Sequence, residues 1–90
     1  MDINKELRLA ISTGKVHFGL EQTKKAIKAK KAKLVIVSSN CPDKGLRRMR
    51  KVRVYEFKGT NPELGAACGK PFSISTLAIL NPGQSNILSL

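Results

Sequence analysis

The stretch of the sequence best suited to chemistry is residues 19–33, GLEQTKKAIKAKKAK. Gly19 stands where a predicted strand turns into a predicted helix, and its missing side chain lets a ligand approach the backbone closely. The first N–H groups of a helix lack partners within it, so they suit phosphates or the acceptor-rich edges of bases. Lys25 and Lys28 extend that surface with positive charge. Alternatively, Gly19 only makes a tight turn and the lysines solvate a helix, and this stretch alone does not decide between the two.

No comparable motif indicates catalysis. The six acidic residues are scattered singly, and the sequence contains neither a GxSxG motif nor a GxxxxGK[ST] phosphate loop. His17 is the only histidine, and its place between two apolar residues of a strand indicates a structural or solvent-facing role. Cys41 and Cys68 lie far apart without a CxxC motif, so we interpret both as packing residues rather than zinc ligands. The sequence therefore predicts a protein that is not an enzyme and needs no metal or cofactor.

Charge is the strongest global signal. Seventeen Lys and Arg residues oppose six Asp and Glu residues, which gives a formal net charge of +11 and a pI near 10.2. Repulsion on this scale works against compaction, so a polyanionic partner that offsets it is the economical explanation, and nucleic acid is the first candidate. Residues 71–90 carry no charged side chain, so the charge is concentrated on the middle of the chain. A basic adaptor for an acidic protein is the alternative from another class.

A membrane partner and a small-molecule substrate are not expected. No apolar run approaches the roughly 20 residues that a spanning helix needs, and the charge is not arranged along an amphipathic helix with large apolar anchors. The N-terminal MDINKELRLA lacks the apolar segment of a signal peptide. These features predict a soluble, cytoplasmic protein, and ninety residues predict a single domain, 1–90.

Hydrophobic spacing predicts alternating helices and strands. Helices are expected after an Asn4 cap, over residues 20–31, and from Asn61, which caps PELGAAC before a terminating Gly69. The apolar run KLVIVSS is typical of a strand buried on both faces, and three further strands are expected in KVHFG, VRVYEFKG and SISTLAILN. The segment DKGLRRMRK is a poor independent helix because it carries a glycine and several like charges. This order predicts an α/β fold with a mixed four-stranded sheet between helix layers.

Two blocks of the sequence resemble the ribosomal L-thirty-e family of the large subunit in archaea and eukaryotes, which belongs to the superfamily of kink-turn RNA binders. The blocks are TGKVHFGLEQTKKAIKAKKAKLVIVSSNCP and VYEFKGTNPELGAACGKPFSISTLAILNPGQSNIL, and the resemblance extends over nearly the whole chain. The most specific piece is GTNPELGAACGKPF. The resemblance implies a three-layer α/β/α sandwich that recognises a kink-turn, an RNA internal loop with tandem sheared G·A pairs and a sharp bend. Proteins read RNA through such irregular loops because the A-form major groove is too narrow for side chains.

The resemblance also implies which residues contact RNA. Residues at the start of the second helix would face the G·A pairs: Gly19, Leu20, Glu21 and Gln22. Lys25 would reach bases or phosphates, and Asn40, which follows the second strand, would contact a base. Further phosphate attraction would come from Lys24, Lys28, Arg47 and Arg48. A loop would receive the flipped-out nucleotide through Phe72, Ser73 and Ile74, although Phe72 could instead be a core residue.

The sequence departs from the family pattern at two places. Many superfamily members have an Asn-Glu pair where Glu21-Gln22 stand here, which agrees with the L-thirty-e branch. The segment between Pro42 and Val54 is about six residues shorter than usual, so the third helix of the family is expected to be shortened, and RRMRK is a candidate RNA contact there.

Taken together, the expected function is that of a structural constituent of the large ribosomal subunit, whose partners are ribosomal RNA and neighbouring ribosomal proteins. A free-standing kink-turn protein of a guide-RNA particle or a regulatory complex is the alternative.

Overall fold

A computed structural model of the chain describes residues 2–41, 45 and 52–89. The described residues combine helices with a sheet, which confirms the predicted α/β class. In chain order they are α1 Ile3–Thr13, β1 Lys15–Phe18, α2 Leu20–Lys28, β2 Leu34–Val37, β3 Val54–Glu56, α3 Asn61–Ala67 and β4 Thr76–Asn81, followed by a 3-10 turn at Ile87–Ser89. Within these ranges no helix has both the length and the apolar character to span a membrane.

The four strands form one mixed sheet in the order β1-β4-β2-β3. β4 is antiparallel to both of its neighbours, whereas β2 and β3 are parallel. Val37 is paired with both Thr76 and Glu56, and Phe18 is paired with Leu77. The carboxyl ends of β1, β2 and β3 therefore meet where β4 begins. We call this side of the sheet the upper edge, and the opposite side, where β4 ends, the lower edge.

Apolar side chains cover both faces of the sheet, as expected of a three-layer sandwich. On one face Leu34 and Ile36 pack with residues of α1 and α3, and on the other Val35 and Val37 pack with residues of α2. All four residues of β2 are completely buried. The continuous apolar run of β2 thus has the structure that its sequence predicted, because alternate side chains point into different helix layers.

The start of α1 and the end of α2 differ from the prediction. The cap of α1 is Asp2, whose Oδ1 accepts a hydrogen bond from the Lys5 N–H at 3.3 Å, so the predicted Asn4 cap is wrong. α2 ends at Lys28 rather than at residue 31, because Lys30 takes a left-handed conformation with φ of 59°. That conformation lets the Lys30 and Lys31 N–H groups bond the carbonyls of Ile27 and Ala26, both at 2.9 Å, and this closes the helix end.

Helix α3 and the loop that follows it form one tight unit. The Glu63 carboxylate accepts hydrogen bonds from the backbone N–H and the hydroxyl of Thr60, at 3.3 and 3.1 Å, so the cap is Thr60 and not Asn61 as predicted. A side chain at Gly65 would collide with the Phe72 carbonyl, so only glycine allows the loop 71–75 to pack this closely on α3. The GTNPELGAACGKPF block is therefore a packing unit as well as a recognisable motif.

The predicted shortened helix between β2 and β3 concerns residues 43–53. Of these, the structure describes only Gly45, Val52 and Arg53. The shortening lies outside the described residues and stays a prediction.

Candidate nucleic-acid interface

Three segments that are far apart in sequence meet at the upper edge of the sheet. The Gly19 N–H donates to the Thr76 carbonyl at 2.9 Å, which joins the start of α2 to the start of β4. The Ser38 N–H donates to the Ser75 carbonyl at 2.9 Å, which joins the end of β2 to the loop 71–75. The sheet therefore brings together the glycine, the residues after β2 and the loop that the sequence predicted to share one site.

Gly19 opens α2 in a conformation that requires glycine. Its φ is 94°, in the left-handed region, yet a Cβ built there would meet nothing within 4 Å. The requirement thus comes from the backbone angle and not from crowding, and open space remains beside the helix start. The Thr23 N–H makes the first helical hydrogen bond, to the Gly19 carbonyl at 3.0 Å. The N–H groups of residues 20–22 have no intrahelical partner, as in any helix, and remain available to a ligand.

The exposed face of α2 carries five of the predicted contact residues. Leu20 is half-buried, and the exposed residues are Glu21, Gln22, Lys24, Lys25 and Lys28. At 1.5 Å per residue, Lys25 lies about 9 Å along the helix from Gly19, and Lys28 about 13 Å. Lys25 can therefore reach the same ligand as the helix start, whereas Lys28 extends the positive charge away from it.

Thr23 lies behind this face. Its hydroxyl is buried, and within the part of the chain that the structure describes it has no hydrogen-bond partner. A buried hydroxyl without a partner destabilises the folded state, since it has lost water without a replacement bond. Thr23 lies at helical spacing from Leu20 and Ile27, which pack against the core, but no local pattern in the sequence indicates that its hydroxyl is unpaired.

Asn40 is exposed but held in place by the protein. Its Oδ1 accepts hydrogen bonds from the Asn61 N–H at 2.9 Å and from the Ser38 hydroxyl at 3.2 Å. The Ser38 hydroxyl is also close to the Asn61 Oδ1. A backbone N–H can only donate, so the carbonyl end of the Asn40 amide must face Asn61 and its NH₂ end must face away. The arrangement presents a donor at the upper edge.

The loop 71–75 exposes one large apolar side chain. Phe72 is 53% exposed, so it is not a core residue, and Ser73 is also exposed. Ile74 is only 3% exposed and packs with Leu64 and Leu77. Of the three residues predicted in this loop, the structure therefore places two at the surface and uses Ile74 as an anchor, with its N–H bonded to the Asn61 carbonyl at 3.0 Å.

Two further features of this edge had no signal in the sequence. The Lys70 ammonium lies 5.4 Å from the centre of the Phe18 ring, a cation–π distance, although the two residues are far apart in the chain. Asn61, which the sequence indicated only as a helix cap, instead orients Asn40. Neither role follows from local spacing, because each depends on how the sheet brings separate segments together.

The remaining predicted contacts, Arg47 and Arg48, lie outside the described residues. The upper edge also carries acidic residues: Glu21 and Glu56 are exposed, and Glu63 serves the cap of α3. A carboxylate repels phosphate but accepts hydrogen bonds from the amino groups of bases. The charge distribution therefore favours contact with base edges near Glu21.

Both cysteines are buried, as predicted. The Cys41 sulfur lies 3.2 Å from the Thr76 hydroxyl, and burial raises the pKa of the Cys68 thiol from 9.0 to about 11, against the opposing effect of Lys70 and Arg8. In the described ranges, no group of three or more His, Cys, Asp or Glu side chains is placed to hold a metal ion. The candidate interface carries hydrogen-bond donors, cations, the exposed acidic residues Glu21 and Glu56, and the exposed ring of Phe72.

Comparison with known proteins shows which family the chain resembles along its length. The model of the family described as "Ribosomal protein L7Ae/L30e/S12e/Gadd45 family" matches residues 1–89. The chain is 47% identical over 93 residues to "Large ribosomal subunit protein eL30" of Methanoregula boonei, covering 100% of this chain and 96% of that protein. It is 42% identical over 96 residues to the protein of the same name from Methanocaldococcus jannaschii, covering 100% and 87%.

The fold is an α/β/α sandwich with helices on both faces of a mixed four-stranded sheet. The chain belongs to the Ribosomal protein L7Ae/L30e/S12e/Gadd45 family. This confirms the resemblance from which the contact residues were predicted. The relatives are named as ribosomal proteins, which are not enzymes, and this supports the prediction that the chain is not an enzyme.

Proposed function

We propose that this protein is a structural constituent of the large ribosomal subunit and binds ribosomal RNA at a kink-turn or a related internal loop. The observation that carries the proposal is the meeting of the α2 start, Asn40 and the loop 71–75 at the upper edge. The family match and the relatives named as large ribosomal subunit proteins support the ribosomal setting, and with it a cytoplasmic location and neighbouring ribosomal proteins as partners.

Each segment would have its own part in recognition. The open space beside Gly19 lets the RNA approach the N–H groups of residues 20–22, while Glu21 and Gln22 face the G·A pairs. Asn40 donates from its outward NH₂ group to an acceptor on a base, such as a guanine O6 or N7. Phe72 and Ser73 receive the flipped-out nucleotide, with Ile74 anchoring the loop. Stacking of a base on an exposed aromatic ring contributes about 1–3 kcal/mol.

The cations would supply attraction that does not depend on base sequence. Lys25 lies close enough to the helix start to contact the same RNA element, and Lys24 and Lys28 add charge along α2. Arg47 and Arg48 would add charge from the segment between β2 and β3. Contacts to phosphates position the RNA, whereas contacts to base edges select it.

A competition experiment tests the proposal. A labelled kink-turn RNA is bound to the protein on a filter and displaced by the unlabelled RNA, or by the same RNA with its G·A pairs replaced by Watson–Crick pairs. We expect the replaced RNA to compete at least tenfold less well. Equal competition would contradict kink-turn recognition and would leave only a basic protein that binds any polyanion.

The alternative within the same class is a free-standing kink-turn protein of a guide-RNA particle or a regulatory complex. Both functions use the same surface, so the competition experiment does not separate them. Sedimentation in high salt does: a ribosomal constituent stays with the large subunit, whereas a free-standing protein remains in the light fractions.

A further inference from the structure

The lower edge of the sheet carries a second group of cations, distinct from those of the upper edge. It is formed where β1, β2 and β3 begin. Lys15 is paired with Asn81, the Lys33 N–H donates to the Ile79 carbonyl at 2.8 Å, and the Arg53 carbonyl accepts from Val35 at 2.9 Å. The end of α2 reaches the same edge. We call this surface the lysine edge and define it by five exposed residues: Lys15, Lys30, Lys31, Lys33 and Arg53.

These cations lie close enough for their potentials to add. Neighbouring strands are about 4.8 Å apart, so the backbones of Lys15 and Lys33, on either side of β4, are separated by about 10 Å. This is comparable to the screening length of about 8 Å at physiological salt. Arg53 lies on the next strand, and its Nη1 donates to the Leu88 carbonyl at 2.7 Å, which holds its side chain at this edge.

Acidic side chains do not offset this charge. Among the acidic residues that the structure describes, Glu21, Glu56 and Glu63 lie at the upper edge, and Asp2 caps the start of α1. Glu6 is buried, and its Oε2 accepts from the Asn86 N–H at 3.2 Å. The upper edge thus mixes both signs, whereas the described part of the lysine edge is purely cationic, which is the pattern that suits phosphates rather than bases.

Lys30 gives an independent indication. It occupies the position after the end of α2 that is usually glycine, with φ of 59°. A lysine in this conformation destabilises the fold relative to glycine. Stability alone would therefore favour glycine at this position, yet the chain carries a cation there. A lysine that only balanced the helix dipole could stand one residue earlier without this strain.

We infer that the lysine edge is a second RNA-binding surface, which holds the phosphate backbone of an RNA segment other than the one at the upper edge. β4 spans the distance between the two edges, about 17 Å at 3.3 Å per residue. That distance is roughly twice the screening length, and the exposed lysines of α2 extend positive charge between the two edges. A protein with two such surfaces joins two RNA segments, and the inference does not depend on kink-turn recognition at the other edge.

Binding of a plain RNA duplex without an internal loop tests the inference. The labelled duplex is titrated with the protein alone and with the protein saturated by unlabelled kink-turn RNA, and binding is followed by fluorescence anisotropy. We expect the duplex to bind in both cases. In Lys15→Ala/Lys33→Ala its affinity should fall about tenfold, and the slope of log affinity against log salt should fall by roughly 1.4 to 1.8. The kink-turn RNA should bind this variant within twofold of the original protein.

The control is Lys5→Ala, which removes an exposed cation of α1 away from the lysine edge. It should leave duplex binding within twofold. A loss of log affinity in Lys5→Ala of about half that in the double variant would mean that net charge alone is measured and would overturn the inference. Displacement of the duplex by a single equivalent of the kink-turn RNA would mean one continuous surface and would also overturn it. If polyglutamate at equal charge competes as well as unlabelled duplex, an acidic protein and not RNA is the partner.

A second variant separates binding from folding. Lys30→Gly relieves the left-handed backbone and removes one cation, so Tm should rise by about 4 °C while duplex affinity falls severalfold. Opposite changes in stability and affinity are not expected of a lysine that only solvates the helix end. A rise in Tm with unchanged duplex affinity would contradict a role for Lys30 in binding.

Discussion

The Asn61 N–H donates to the Asn40 Oδ1 at 2.9 Å, across a separation of 21 residues in the chain. This one hydrogen bond determines which end of the Asn40 amide faces the surface. The acceptor is used within the protein, and the NH₂ group faces outward from an exposed residue. A ligand that hydrogen-bonds the Asn40 side chain here must therefore offer an acceptor. The sequence alone does not predict this, because an asparagine amide can donate or accept.

Replacing Asn40 tests whether its NH₂ group donates a hydrogen bond to the RNA. Asn40→Asp keeps an oxygen for the Asn61 N–H but presents a negatively charged acceptor to the RNA. We expect it to weaken kink-turn binding at least tenfold more than Asn40→Ala, which removes the donor without adding repulsion. Gel-shift titrations measure the affinities, and thermal melts verify that Asn40→Asp remains folded. Equal affinities of Asn40→Asp and the unmodified protein would refute donation from this side chain.

The orientation of Asn40 can also be disturbed without changing Asn40. Asn61→Pro removes the N–H that holds the Oδ1, whereas Asn61→Ala removes the side chain but keeps the N–H. Proline suits the first position of a helix, and the preceding Thr60 is already extended, with ψ of 175°. We expect Asn61→Pro to bind kink-turn RNA about five- to tenfold more weakly than Asn61→Ala at similar Tm. If both bind equally well, the backbone bond does not position Asn40.

Lys25 should contribute through charge. Lys25→Ala removes an exposed cation about 9 Å along α2 from Gly19, without disturbing packing. We expect weaker kink-turn binding and a slope of log affinity against log salt that is smaller by roughly 0.7 to 0.9, the value for one phosphate contact. Lys5→Ala is the matched control, with an unchanged slope. An unchanged slope in Lys25→Ala would count against the phosphate contact.

Phe72 should matter more for binding than for folding. The residue is 53% exposed, so Phe72→Ala should lower the free energy of unfolding by only about 1 kcal/mol. Loss of base stacking should weaken kink-turn binding by about 1–3 kcal/mol. Phe72→Tyr keeps a stacking ring and should restore most of the affinity. Urea titrations and gel shifts measure the two quantities, and a large loss of stability would instead indicate a packing role.

The raised pKa of the Cys68 thiol predicts a pH dependence of stability. Burial favours the neutral thiol in the folded state, so the stabilisation is complete below pH 9 and is lost as the pH rises towards 11, because the unfolded chain then releases the proton first. With a rise of about two units, the loss is on the order of 2 kcal/mol. Comparing urea titrations of Cys68→Ala and the unmodified protein between pH 8 and 10.5 isolates the effect. Parallel curves would contradict the raised pKa.

The amino-acid sequence by itself determined the local features of this protein. The run LVIV was identifiable as a strand buried on both faces, and a glycine between a strand and a helix marked the start of α2. The net charge of +11 indicated a polyanionic partner. These features follow from hydrophobic spacing, backbone preferences and composition, each of which acts within a few residues or over the chain as a whole.

Only the tertiary structure decided which residues act together. The outward donor of Asn40 depends on Asn61. The lysine edge depends on the strand order that brings Lys15, Lys33 and Arg53 to one edge of the sheet. The predicted end of α2 was wrong for a related reason, since Lys30 takes a backbone angle that is unusual for lysine. Strand pairing and contacts between distant segments are set by the packing of the whole sheet, and no short stretch of sequence encodes them.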